Sequence, residues 1–258
     1  MTETHVQFEK IGRVLLKEHN RIPVDVPYQN PRITCDGERR YVSVAVDVEY
    51  TEKAETSAPI GIDLGVKELA VVSNSRVFKN INKTRRMKQL EKCKKRLQQR
   101  VSCHYERIVE NHCKKFRGLL NLENKIHSVS KKIRDQHTNH IHQMTSKLMK
   151  AKPEFIVIED LNVNGMLKNH RLSKVIQDNQ QAKIGRKLEY KCEWYGVKLI
   201  IADRFYPSLK LCSCYGSKKT DLKLFKRTYH RSECGITMDR DLNAAINLMQ
   251  YGMHEMSA

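Results

Sequence analysis

No apolar run in the 258-residue sequence approaches the roughly 20 residues that cross a bilayer, which argues against membrane attachment. Its first ten residues, MTETHVQFEK, hold no hydrophobic stretch of the kind a secretory signal needs. Nor do the eight cysteines, at 35, 93, 103, 113, 192, 212, 214 and 234, form a small-domain disulfide framework. A reducing interior, the cytoplasm and its nucleoid, is the expected setting. Acidic residues are scarce as well. There are 29 Asp+Glu against 48 Lys+Arg, a formal charge of +19, and this imbalance points to a polyanionic partner, nucleic acid before any other.

The length suits one substantial core with appendages. "RRYVSVAVDVEY" (39–50) alternates as a half-buried strand does, and residues 1–56 read as a β-rich segment short of a complete domain. "IGIDLGVKELAVVSNSRVFKN" gives three short strands, punctuated by Gly61, Gly65 and the turn at 73–75. Residues 83–150 differ in kind. Met87, Leu90, Leu97 and Val101 mark one helical stripe, while Leu119, Leu122, Ile126, Val129 and Ile133 follow a heptad seam. The expectation is a long basic helical hairpin. "EFIVIEDLNV" (154–163) and "VKLIIADRF" (197–205) read as buried strands, with a helix over 172–196 between them that stops at Gly196. A cysteine-bearing loop and a last helix follow. This order predicts an α/β layer around a central sheet.

Three carboxylates stand at the ends of these elements: Asp63 in "GIDLG", Glu159 closing "FIVIE" and Asp241 at the start of the last helix. Each has a structural alternative: a turn, a lysine pair or a helix cap. Gathered together they would repel one another unless cations sat among them. Mg²⁺ suits such a site, because it takes oxygen ligands and leaves positions open for substrate phosphate. An acidic cluster inside so basic a protein makes sense for cutting or rejoining a polyanion. Capping is assigned to Asp239 and metal binding to Asp241, the deeper of the two in the helix.

The cysteine loop offers less. A structural zinc site takes four Cys/His ligands, commonly in C-x₂₋₄-C pairs. Here "CSCYG" supplies a C-x-C and "YHRSECG" one cysteine with a nearby histidine, so Cys212, Cys214, His230 and Cys234 form a makeshift set. C-x-C spacing strains two ligands on one tetrahedral ion, and a loop that no longer holds zinc is the slightly favoured reading.

Together the motifs resemble the OrfB/TnpB family of transposon-encoded proteins, relatives of the type V CRISPR effectors. "GIDLGVKELAVVSN" looks like the first RuvC motif, "FIVIEDLNVNGM" the second and "DRDLNAAINL" the third, and the likeness runs over roughly residues 5–250. It implies an RNase H-like (RuvC) fold over 57–258. That fold would carry the helical hairpin 83–150, a degenerate zinc-ribbon-like insertion 206–238, and a partial N-terminal β-barrel segment 1–56. It implies Mg²⁺- or Mn²⁺-dependent cleavage of DNA, guidance by RNA from the transposon end, and catalysis by Asp63, Glu159 and Asp241. The chain departs from the family in two places. Tyr215 and Arg231 stand where the family's zinc ribbon has cysteines, and the N-terminal region is shorter than usual. The alternative functions are a silent nucleic-acid-binding remnant and a strand-transferring transposase of the same fold.

Overall fold

A computed structural model describes residues 4–20, 22–24, 26–35, 39–47, 57–110, 117–160, 168, 181–219, 227–230, 235 and 237–257. They fall into two compact units, 1–51 and 52–258.

The first unit holds two antiparallel ribbons. β1 (His5–Phe8) pairs with β2 (Gly12–Leu15), and β3 (Tyr28–Cys35) with β4 (Arg40–Val46). The alternation expected of β4 is present. Val42, Val44 and Val46 are half-buried, while Tyr41, Ser43 and Ala45 are exposed.

The second unit is built on a five-stranded mixed sheet of order β7-β6-β5-β8-β9. Its strands are β5 (Ile60–Asp63), β6 (Glu68–Val72), β7 (Val77–Lys79), β8 (Phe155–Glu159) and β9 (Lys198–Ala202). β5, β6 and β7 form an antiparallel meander, while β5, β8 and β9 run parallel. The ends of β5, β7, β8 and β9 therefore share one pole of the sheet, together with the turn from β5 into β6. The α/β class expected from the sequence is the class observed.

A short 3₁₀ turn, Ile81–Lys83, leads into α1 (Arg85–Glu110). The stripe read from the sequence lies on the inner face: Met87 is buried, and Leu90, Leu97 and Val101 are half-buried. α2 (Arg117–Lys150) packs against α1. In its second half the apolar face meets the sheet, where Ile141, Met144, Leu148 and Met149 join the core. α3 (Gln181–Trp194) covers the same face with Ile184, Leu188 and Cys192. The part of this predicted helix before residue 181 lies outside the described residues. The chain turns out of α3 at Gly196, whose φ of +61° is the left-handed conformation that glycine adopts without steric cost.

Strand alternation sorts the two sheet faces. Ile60, Ile62, Ile156 and Ile158 face α2 and α3. Phe155 and Val157 face the other way, onto the last helix, α4 (Arg240–Ser257), through Leu248. One expectation needs correcting: β9 is not a buried strand. It is the edge of the sheet, and Ile201 is 52% exposed. Its run of apolar residues looked like a two-sided strand because the pattern carries no information on sheet position.

Candidate active site

The strand pair comes first. β5 and β8 are parallel with Ile60 opposite Ile156, Gly61 opposite Val157 and Ile62 opposite Ile158. One step further along both strands stand Asp63 and Glu159, level with each other at the pole. By alternation they point to the α4 side, with Gly61, Phe155 and Val157. α4 lies very close on that side. A Cβ on Gly61 would overlap the Ala245 carbonyl and the Met249 amide, and one on Gly252 would run into Val157 and Phe155. Glycine is required at both contacts. Since Gly252 lies over the start of β8 and Ala245 over the middle of β5, the helix points its N-terminus at the pole. That brings Asp241 to the strand acids.

The three carboxylates feel one another. Asp63 is only 7% exposed. Burial, then the negative charges of Glu159 and Asp241, pushes its carboxyl up to about 8, with Arg240 pulling in the opposite direction. Burial also raises Glu159, opposed by a hydrogen bond from the Ser208 hydroxyl.

Asp241 is treated differently. Arg227 Nη1 lies 3.1 Å from its Oδ2, and Arg240 Nη2 lies 3.1 Å from its Oδ1. Asp239, the residue assigned to capping, does cap the helix. Its Oδ1 accepts from the amides of Asp241 at 2.9 Å and Leu242 at 3.3 Å.

Ser208 is itself held from behind. Asn247, 1% exposed, donates through Nδ2 to the carbonyls of Ser208 at 2.7 Å and Leu211 at 2.8 Å. Asn243 Nδ2 donates to Leu211 O at 2.7 Å, and its Oδ1 accepts from Ser213 N at 3.2 Å. α4 thus anchors the 208–213 segment, and that segment orients Glu159. Sequence reasoning missed Ser208, Asn243, Asn247 and Arg227. The two asparagines at i, i+4 in "DRDLNAAINL" were the available signal for this anchoring.

Among the described residues no three Asp, Glu, His or Cys side chains close around one point tightly enough to hold an ion. Glu159 is engaged by Ser208, and Asp241 by its arginines. The donor set nevertheless fits a hard divalent cation. All donors are carboxylate oxygens, and Asp63 is a buried acid whose ionisation is resisted by its neighbours until positive charge arrives.

Part of the cysteine loop falls within the described residues. Cys212 is buried and Cys214 exposed on the turn at 213–215, and His230 Nδ1 lies 2.8 Å from Thr237 Oγ1. Cys234, Arg231 and the 220–226 segment lie outside the described residues.

With this geometry in view, comparisons with known proteins are decisive at the family level. The OrfB/IS605 family, described as "Probable transposase", matches residues 41–170. The chain belongs to the OrfB/IS605 family. A second match, "Cas12f1-like, TNB domain", spans residues 182–248. A Streptomyces pristinaespiralis protein named "Putative RNA-guided DNA endonuclease" is 32% identical over 216 residues, 83% of this chain and 50% of that protein. The protein of the same description named InsQ, from Escherichia coli K12, is 26% identical over 82% of this chain and 54% of its own length. The chain thus spans about half the length of the curated relatives it matches. Among solved structures, a chain of a CRISPR-Cas12f ternary complex aligns with a TM-score of 0.50 at 19% identity, over 81% of this chain and 41% of that one. That likeness concerns the fold. No helix among the described residues is long and apolar enough to cross a membrane.

Proposed function

We propose that this chain is a divalent-metal-dependent DNA endonuclease of RuvC type on an RNase H-like core, guided by RNA from the transposon end and working at the nucleoid. The observation that carries the reading is the convergence of Asp63 and Glu159, on adjacent parallel strands, with Asp241 at the mouth of the helix lying over them. The relatives' names support RNA and DNA as partners, and the +19 charge supports a polyanion. The proposed division is a barrel segment 1–56 and a nuclease domain 57–258, with the helical pair 83–150 and the ribbon-like insertion 206–238 within it.

Asp63, Glu159 and Asp241 are the residues that would hold Mg²⁺ or Mn²⁺. When bound, such ions stabilise the attacking and leaving oxygens of an in-line phosphodiester displacement. The remaining work belongs to the protein. Asp63 gives up a proton to become a ligand, so proton and cation compete at this carboxyl around pH 8. Ser208 fixes Glu159 Oε1, leaving its other oxygen for the site. Arg240 holds Asp241 Oδ1, which restricts how that carboxylate turns.

The test is to purify the chain, sequence the RNA that comes with it, and offer DNA complementary to that RNA. The expected result is transposon-end RNA and Mg²⁺-dependent cleavage that Asp63→Ala abolishes. Cleavage unaltered by Asp63→Ala overturns the assignment. Salt-sensitive binding without cleavage in Mg²⁺ or Mn²⁺ identifies a binding remnant, and joining of a labelled transposon end to target DNA identifies a strand transferase.

A further inference from the structure

Beside the acids, on the β6–β7 side of the pole, lies a hollow of about 330 Å³. Its charged lining is Lys67, Lys83, Lys88 and Arg227, with no acidic residue among the described residues that line it. These cations come from separate pieces of chain: the turn after β5, the 3₁₀ turn, the first turn of α1 and the approach to β10 (Thr228–His230). Hydrogen bonds tie the wall together. Asn80, 8% exposed, donates through Nδ2 to Val66 O at 3.1 Å and accepts on Oδ1 from Asn82 N at 2.9 Å. Lys83 Nζ donates to Lys67 O at 3.1 Å. The wall thus gathers four cations around one concavity, and an entering anion would meet all of them. Arg227 belongs to this lining and to the acid site at once, through its contact with Asp241.

We propose that this hollow seats a backbone phosphate of the DNA strand presented to the acids, and that Arg227 exchanges Asp241 for that phosphate as the strand enters. This rests on the nuclease reading above. Guanidinium forks bind phosphate and carboxylate in the same way, so the exchange conserves hydrogen bonds. Arg240 keeps its own contact with Asp241 Oδ1, so the carboxylate is not stranded. The oxygen that Arg227 leaves, Oδ2, is then open to a cation. Strand binding and divalent-cation binding should therefore strengthen each other by the same factor.

Two measurements test this, both made without turnover. In the first, a single-stranded oligonucleotide is titrated in Ca²⁺ against wild type and against Lys67→Ala/Lys83→Ala/Lys88→Ala, all three exposed positions. The slope of log K on log salt should fall by about 0.7 for each phosphate that the variant no longer neutralises. One neutral methylphosphonate linkage, walked along the strand, should weaken wild-type binding about tenfold at one position and leave the triple variant unaffected there. No such position, or a slope equal to that of a Lys125→Ala/Lys132→Ala control, overturns the phosphate site. Protection of wild type by inorganic phosphate with no sensitive linkage also overturns it, showing a free-anion site instead. In the second, Mn²⁺ affinity is read by electron paramagnetic resonance. The oligonucleotide should tighten it severalfold in wild type, while Arg227→Gln should begin tight and show no further tightening. Mn²⁺ affinity indifferent to the strand overturns the exchange. If the linkage effect holds but Mg²⁺ supports no cleavage of guide-matched DNA, the phosphate site stands and the nuclease reading fails.

Discussion

The strand acids and the helix acid at this pole are compensated in opposite ways. Burial, and then the charges of Glu159 and Asp241, push the Asp63 carboxyl up to about 8. Asp241, a few residues after the cysteine loop, carries two arginines at 3.1 Å. One half of the site is neutralised by a proton, and the other by the protein's own arginines. On the proposed reading, a divalent cation would displace that proton at Asp63 and a guanidinium at Asp241.

The largest expected effect comes from removing the protonated carboxyl itself. From pH 3.8, the ordinary carboxyl value, up to about 8, native Asp63 retains a proton that the unfolded chain has lost. Stability therefore falls as pH rises through that window, by at most roughly 6 kcal/mol. Asp63→Asn should remove this slope and raise the metal-free melting temperature at pH 8. An unchanged slope in urea denaturation at pH 5, 7 and 8 would mean that Asp63 is not the strained group.

Separating the two halves physically should come next. Gly61→Val forces a side chain into the backbone of α4 and should cost about 3 kcal/mol or more, as overpacking of a close contact does. Thermal denaturation measures it. A smaller Asp63 pH slope in the surviving folded protein would show that α4 no longer covers the carboxyl, since burial is the largest cause of its shift and Asp241 a lesser one.

A third substitution reaches Glu159 alone. Asn247→Leu leaves the Ser208 carbonyl without its Asn247 donor and the Leu211 carbonyl with Asn243 alone, at a cost of about 2 kcal/mol. Cleavage should drop further than that stability loss explains, because Ser208 no longer orients Glu159. Equal losses in stability and activity would confine Asn247 to packing.

The smallest effect is expected just outside the site. Arg204 Nη2 and Asp160 Oδ2 are 2.5 Å apart, but both side chains are nearly half exposed. Arg204→Ala should change stability by about 0–1 kcal/mol in a melting experiment. A larger change would mean that the pole extends to the end of β9.

The positions of the acids were legible in the sequence, and the groups that hold them were not. Asp63 and Glu159 could be read from apolar runs that end in a carboxylate, because strand alternation and strand ends are local properties. Asp239 as the cap and Asp241 as the deeper acid followed from position alone. What controls them was hidden. Ser208 reaches Glu159 across 49 residues, and Asn247 reaches Ser208 across 39. Such contacts depend on which segments the fold brings together, and no periodicity encodes that. The edge position of β9 was hidden for the same reason. Arg227 was a special case, since its charge blended into a surface already rich in Lys and Arg.

Whether Asp63, Glu159 and Asp241 belong to one divalent-cation site is decided by calorimetric titration of Mn²⁺ at pH 8. The proteins to compare are wild type, Asp63→Asn, Glu159→Gln and Asp241→Asn. A shared site gives binding with proton release in wild type, and loss of that binding in each variant, greatest for Asp63→Asn. Equal Mn²⁺ affinity in all four proteins would contradict it.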